Sequence, residues 1–288
     1  MKYSYYILLL LAFGFASCQK DFNELTDSNL RKITFTFDPA HIFDDVLVEH
    51  SGTYSLGAKS ILDGNYLLRI TSFCYDTSDS LLQSHTLLCR DLSVATQSFT
   101  HLDKEINYHF VFVVDVVKSD LNVDYYETWY QMDTGSYQRF YFFSDNRNAK
   151  AEFDVMYTAT LYAHPENQSI GVPLESMTYN GYCLLTNANK SDRITGYAAY
   201  VNDFLLSSRS WRRRASLGYE FTHYRPQTPT LIQPLSLCYA DSIISVQVCS
   251  TTLAGTDTLK VNVPNMNRQP FVLTIDCDAM QMEGCKFY

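Results

Sequence analysis

Thiols and imidazoles are the side chains here most apt to do chemistry, and their spacing decides which chemistry is open. The chain of 288 residues carries eight cysteines and seven histidines. No two cysteines form a CxxC pair, and no histidines stand in HExxH or His-x-His spacing, so no metal ligand is assigned. A Gly-x-Ser-x-Gly elbow and a phosphate loop are equally missing. His109 and Asp115 share one strand-like run, but six residues along a strand span ~20 Å, too far for a catalytic dyad. Each is read instead as a buried polar group satisfied by its neighbours. No catalytic residue and no cofactor is assigned, and the chain reads as a non-enzyme.

Cys18 is the exception. Lys2 precedes an apolar run at residues 7–15, and Ala16-Ser17 then lead into the cysteine. The run is shorter than the roughly 20 residues a membrane span needs, which makes it a cleaved targeting segment. Phe15-Ala16-Ser17-Cys18 resembles the lipobox of bacterial lipoproteins, with Phe15 where leucine is usual. That resemblance implies cleavage before Cys18 and acylation of its thiol, palmitate included. Behind it, Gln19-Lys20-Asp21 with Glu24 resembles the acidic signal that sends lipoproteins to the cell surface in the gram-negative lineage building type V pili. Only Asp21 stands immediately there, so both an outward and a periplasm-facing position on the outer membrane stay open.

Without residues 1–17 the chain keeps 21 basic against 31 acidic residues, a net charge near −10. This argues against nucleic acid, whose phosphates demand basic patches. The run Arg212-Arg213-Arg214 after Trp211 reads as a solvated loop. Seven cysteines remain after Cys18, an odd number for an oxidising compartment. Cys277 and Cys285 could close a short loop, and the others sit mostly in apolar strands as small hydrophobes.

The elements around these residues are strands. Ile33, Phe35 and Phe37 alternate with polar partners. Residues 66–75 and 81–88 flank the turn Asp76-Thr77-Ser78-Asp79 and predict a hairpin. A turn centred between Thr77 and Ser78 puts Cys74 opposite Leu81 and Cys89 opposite Tyr66, beyond disulfide reach of each other. "YHFVFVVDVV", residues 108–117, is apolar on both faces and predicts a strand central to a sandwich. Phe110, Phe112 and Val114 belong to one face, Val111 and Val113 to the other. Phe153, Val155, Tyr157, Ala159 and Leu161 open a second set, continued at 194–201, 243–249, 258–263 and 271–277. "FCYDTSDSLLQS" (73–84) and "LCYADSIISV" (237–246) share an echo that marks equivalent hairpins or arises by chance.

Short strands at this spacing, with no long amphipathic helix, predict an all-β chain of two tandem antiparallel β-sandwiches. The predicted divisions are 1–17 signal, 18–31 tether, 32–118 first sandwich, 119–149 aromatic-rich connection and 150–288 second sandwich. The aromatics of the connection have two readings. They pack between domains, or Trp129 and Tyr130, with Trp211 elsewhere, stack sugar rings.

On these strings the chain resembles the fimbrillin-type lipoproteins of type V pili. Residues 63–85 and 106–117 are similar to strands of that family's first transthyretin-like or immunoglobulin-like domain, and residues 194–204 and 258–276 to strands of its second. The resemblance implies adhesion or pilus assembly, as anchor or accessory subunit, with pilus subunits as partners through strand addition. It also implies a protease cut after an arginine in shaft members. Arg31 stands where such a cut could fall, or is simply a basic residue of an uncut tether. The alternative is a glycan-binding outer-membrane lipoprotein of a polysaccharide-uptake system, with surface glycans as partners.

Overall fold

A computed structural model describes residues 29–38, 44–57, 66–118, 130–144, 156–166, 168–205, 210–238 and 242–288. Their strands, in chain order, begin with β1 Leu30–Phe37, β2 Leu47–His50, β3 Thr53–Leu56, β4 Tyr66–Tyr75, β5 Leu81–Cys89, β6 Thr96–Asp103 and β7 Tyr108–Lys118. There follow β8 Tyr130–Asp133, β9 Tyr141–Ser144, β10 Met156–Ala163, β11 Ser169–Val172, β12 Glu175–Ser176 and β13 Thr178–Thr186. The chain closes with β14 Arg193–Leu205, β15 Ser210–Tyr224, β16 Leu231–Cys238, β17 Ile243–Thr252, β18 Gly255–Pro264, β19 Phe271–Asp276 and β20 Gln281–Phe287. The predicted all-β, mainly antiparallel class is what forms.

Two pairs of sheets enclose two cores. In the first, β11-β1-β6 faces β12-β10-β7-β4-β5, and Ile33, Phe35, Leu68, Ile70, Phe99, Phe110 and Phe112 meet between them. In the second, β16-β13-β19-β20 faces β18-β17-β14-β9-β8, with β15 paired to β14. Cys183, Leu185, Ile194, Val246, Val248, Phe271 and Leu273 fill that interior. The two-residue period of the sequence is obeyed. In β7, Phe110, Phe112 and Val114 enter the first core while Val111 and Val113 enter a second cluster on the opposite face. β7 is central, flanked by β10 and β4.

Strand pairing crosses the predicted divisions. β10, placed by the sequence in the second sandwich, pairs antiparallel with β7 from Met156↔Asp115 to Ala163↔Tyr108. β11 pairs with β1, so the first core reaches well past residue 150. Conversely β8 and β9, inside the predicted connection, join β14 through Phe204↔Phe142. Alternation says that a segment is a strand; it carries no information about which distant strand it will meet.

Other details shift for local reasons. The β4–β5 turn is wider than predicted, because Asp76 Oδ1 accepts from the N–H groups of both Ser78 and Ser80 at 2.9 Å. Leu82 is then extruded as a bulge, so Cys74 faces Gln83 and Cys89 faces Leu68. Both thiols are free. Cys277 and Cys285 are free as well. Cys285 faces Leu273, four residues before Cys277 on the same side of the chain, and four residues of strand span ~13 Å, twice a disulfide's Cα reach. The arginine run is strand, with Asp203↔Arg212 and Asn202↔Arg213 in register across β14 and β15. The two echoed strings are not equivalent, because β16 and β17 lie in different sheets. β19 is buried on both faces rather than alternating, since Val272 packs beneath the β2–β3 hairpin.

Candidate assembly site

β1 is the element on which an assembly role would turn, and the structure pairs it on both sides. Antiparallel β6 takes one edge and parallel β11 the other. Thr34 N–H donates to Gln168 O at 2.9 Å, and its hydroxyl lies 3.0 Å from that of Ser98. The Phe35 ring lies 4.7 Å from that of Phe110 and 4.8 Å from that of Phe112, centroid to centroid. Phe37 meets Phe112 at 5.6 Å. Each such side chain contributes about 1.5–3 kcal/mol by leaving water, so Ile33, Phe35 and Phe37 bind the strand firmly into its own sheet.

Arg31 is in this strand and not in a tether. It is half-buried, faces Leu102, and its guanidinium donates to Leu30 O at 3.0 Å. The ladder slips just beyond it, where Lys32 stands opposite Thr100 and His101, and resumes at Ile33↔Phe99. A cut after Arg31 would therefore leave Ile33, Phe35 and Phe37 in place. The groove beneath β1 would stay filled.

The two halves are tied by groups that the sequence does not flag. Asn180, on β13, gives its amide to Leu47 O at 2.7 Å and accepts from Leu47 N–H at 2.8 Å. The side chain thus copies the pair of bonds a neighbouring strand would offer to β2. The Tyr182 hydroxyl accepts from Glu49 N–H at 3.1 Å, and Leu47, Tyr182 and Val272 form an apolar cluster below. On the outer face of β4 and β7, Phe140 is buried against Phe73, Tyr75, Val111 and Val113. Asp79 at the β4–β5 turn accepts from the Ser136 hydroxyl and from Gln138 N–H at 2.9 Å. Tyr75 donates to Thr134 O at 2.8 Å.

His109 and Asp115 have separate fates, as their spacing requires. His109 stacks on Tyr137 at 4.4 Å and lies 4.5 Å from the ring of Tyr162. Burial lowers its pKa below the usual imidazole value, against a smaller opposing pull from Asp79. Asp115 is bound by Arg69, directly opposite on β4. An arginine in "YLLRITSF" and an aspartate in "VFVVDVV", each alone among apolar residues, were the signal for that pair. Burial also raises the thiols of Cys74 to about 12 and of Cys277 and Cys285 to about 11, which leaves them protonated and inert.

Cys18 and Trp129 lie outside the described residues. The backbones of Tyr130 and Trp211 fall in β8 and β15, on one sheet with β9 and β14 between them. Three strand spacings and an offset of two residues along the strands separate them by ~16 Å. Among the described residues no group of three His, Cys, Asp or Glu could hold a metal, and no helix is long and apolar enough to cross a membrane.

Architecture and pairing define a class: an all-β chain of two double-sheet cores that completes its own first sheet. No family model matches the chain, and no curated protein does. Solved structures do. A proposed adhesin from Bacteroides thetaiotaomicron is similar with a TM-score of 0.51 at 11% identity, over 88% of this chain and 94% of its own. A proposed adhesin from Bacteroides ovatus gives 0.50 at 12% identity, over 90% and 92%. A proposed polysaccharide-binding protein from B. thetaiotaomicron gives 0.53 at 6% identity, over 89% and 95%. At such identities the fold is what is shared, and it is the fold implied by the resemblance to fimbrillin-type lipoproteins.

Proposed function

We propose that this chain is a lipid-tethered surface protein of adhesion or pilus assembly, an anchor or accessory subunit without catalytic activity. The observation carrying this reading is β1, paired on both edges and sunk into the first core by Ile33, Phe35 and Phe37. A shaft subunit must vacate its groove for a neighbour's strand, whereas an anchor has no need to. Arg31 inside β1 fits the uncut form, and Cys18 then supplies the tether to the outer membrane. The adhesin descriptions of two fold relatives agree with surface adhesion. The predicted divisions then move to a first sandwich that includes residues 156–176 and a second that includes β8 and β9.

Several acyl chains on Cys18, at ~0.8 kcal/mol per buried CH₂, would hold the protein to membranes. The test is palmitate labelling with fractionation of native cells. Wild type labels and sediments with the outer membrane, and Cys18→Ala does neither. N-terminal mass spectrometry separates the roles: a mature terminus at Cys18 supports the anchor, and one at Lys32 overturns it.

The polysaccharide-binding description of the third fold relative favours one rival, a glycan-binding lipoprotein using Trp129, Tyr130 or Trp211. Phe140 is buried between sheets rather than presented to solvent, which supports the packing role of the aromatic stretch. Titration with polysaccharides, compared between wild type and Trp211→Ala, would reveal that rival by a lost binding heat.

A further inference from the structure

Most sheet edges among the described residues are defended. β16 carries Pro234, β18 carries Asp257 and Lys260, β20 carries Glu283 and Lys286, and β15 carries three arginines. β6 is bent at its slip opposite Lys32, where His101 has φ +58°. β8, β11 and β12 are four residues or fewer. Proline, charge, bulges and brevity are the devices that keep an edge from pairing with another chain. β5 ends the five-stranded sheet, and past the Leu82 bulge it has none of them. Residues 83–89, Gln-Ser-His-Thr-Leu-Leu-Cys, form a continuous ladder with β4 and include no Asp, Glu, Lys, Arg or Pro. Ser84, His85 and Thr86 at its middle are exposed.

We propose that β5 is a self-association edge, on which two copies of this chain pair antiparallel about a two-fold axis at His85. An isologous contact needs a patch complementary to itself, and hydroxyl residues Ser84 and Thr86 flank His85 on either side. Such pairing sets Ser84 opposite the partner's Thr86 on both sides of the axis. Hydroxyl then meets hydroxyl at two places, a pair that stabilises antiparallel neighbours. Moving the axis to Thr86 would keep one hydroxyl pair, Thr86 against Thr86, and set Ser84 against Leu88 and His85 against Leu87. In an antiparallel ladder every second residue of β5 turns its N–H and C=O away from β4, so the partner strand satisfies groups that otherwise face water. The two five-stranded sheets become one of ten strands. With a net charge of −9 per copy, two chains repel in general, and an edge without acidic groups is where they can meet.

The register makes the test direct. Position 85 faces its own copy with Cβ atoms about 4.5–5.5 Å apart, within range of a disulfide once the strands relax. In the full chain extracted in detergent, His85→Cys should give a species of twice the mass on non-reducing gels after mild oxidation. The unsubstituted chain, and Lys260→Cys on the charged edge β18, should stay at monomer mass under the same oxidation. Adding Ser84→Lys and Thr86→Lys to His85→Cys opposes lysine to lysine and should abolish the dimer. Ser84→Lys with Thr86→Glu restores opposite charges and should recover it, with circular dichroism checking that every variant folds. A His85→Cys chain that cross-links no better than Lys260→Cys overturns the proposal. So does a product of some other mass, which would mean that β5 takes a foreign strand.

Discussion

Arg69 and Asp115 stand directly opposite each other on β4 and β7, in the interior of the five-stranded sheet, with side-chain exposures of 10% and 5%. Arg69 Nε donates to Asp115 Oδ1 at 2.9 Å, and a second guanidinium nitrogen donates to Oδ2, a bidentate fork. Removing water from two charges costs roughly what their attraction returns, so such a pair adds little net stability, while losing one partner is costly. Asp115→Leu is therefore expected to destabilise by about 3–5 kcal/mol, as is Arg69→Met. The double replacement Arg69→Met with Asp115→Leu should recover most of that loss. Urea titrations of the two single variants and the double variant, read as a thermodynamic cycle, check both statements.

Phe112 lies fully buried in the first core, between Phe35 and Phe37 of β1. Phe112→Ala should cost about 3–5 kcal/mol, the loss typical of an emptied aromatic site. Because the cavity would open under β1, exchange of the β1 amides with deuterium should accelerate along with global unfolding. An unchanged denaturation midpoint would contradict the packing described.

His109 carries a pH dependence whose sign is set by burial. Its folded pKa lies below the ordinary value of 6.5, so near and below that pH the unfolded chain binds the proton more readily. Stability from this group is complete above pH 6.5 and declines as pH falls through 6.5 toward the folded pKa, where the loss levels off. His109→Gln should flatten that part of the stability profile. Thermal melts of both proteins between pH 5 and pH 7.5, differing in slope only below about 6.5, are the measurement.

Gly196 has room for no side chain. A Cβ built there would sit 2.1 Å from the Phe221 ring across β14 and β15. Gly196→Ala should cost on the order of 1–3 kcal/mol through overpacking. Combining it with Phe221→Leu should reduce the penalty, and differential scanning calorimetry of the three variants would measure it.

Asn180 binds β2 by two hydrogen bonds from one amide. Asn180→Ala leaves the Leu47 N–H without that partner, at about 1–3 kcal/mol for a buried group left unsatisfied, while the Leu47 C=O keeps the Tyr182 hydroxyl as a donor at 3.3 Å. The effect should be local. Protection of the Leu47 and Glu49 amides against deuterium exchange should fall far more than that of β7, and equal loss in both would show that the hairpin is not a separate attachment.

Much of this protein was legible from residue types alone. The alternation of Ile33, Phe35 and Phe37 and the two faces of β7 follow from a period of two, which is a local property of the chain. The lone Arg69 and Asp115 could have been matched by their opposite charges, which periodicity does not supply. Tertiary structure alone decided the partners: β10 with β7, β11 with β1, and β8–β9 with β14. It also decided that Arg31 lies within a paired strand, and that an asparagine side chain would hold β2. Strand-forming residues fit many sheets almost equally well. The choice among those sheets is made by contacts between residues far apart in the chain, such as Met156 with Asp115 or, 133 positions apart, Asn180 with Leu47, and nothing in the nearby sequence encodes that separation.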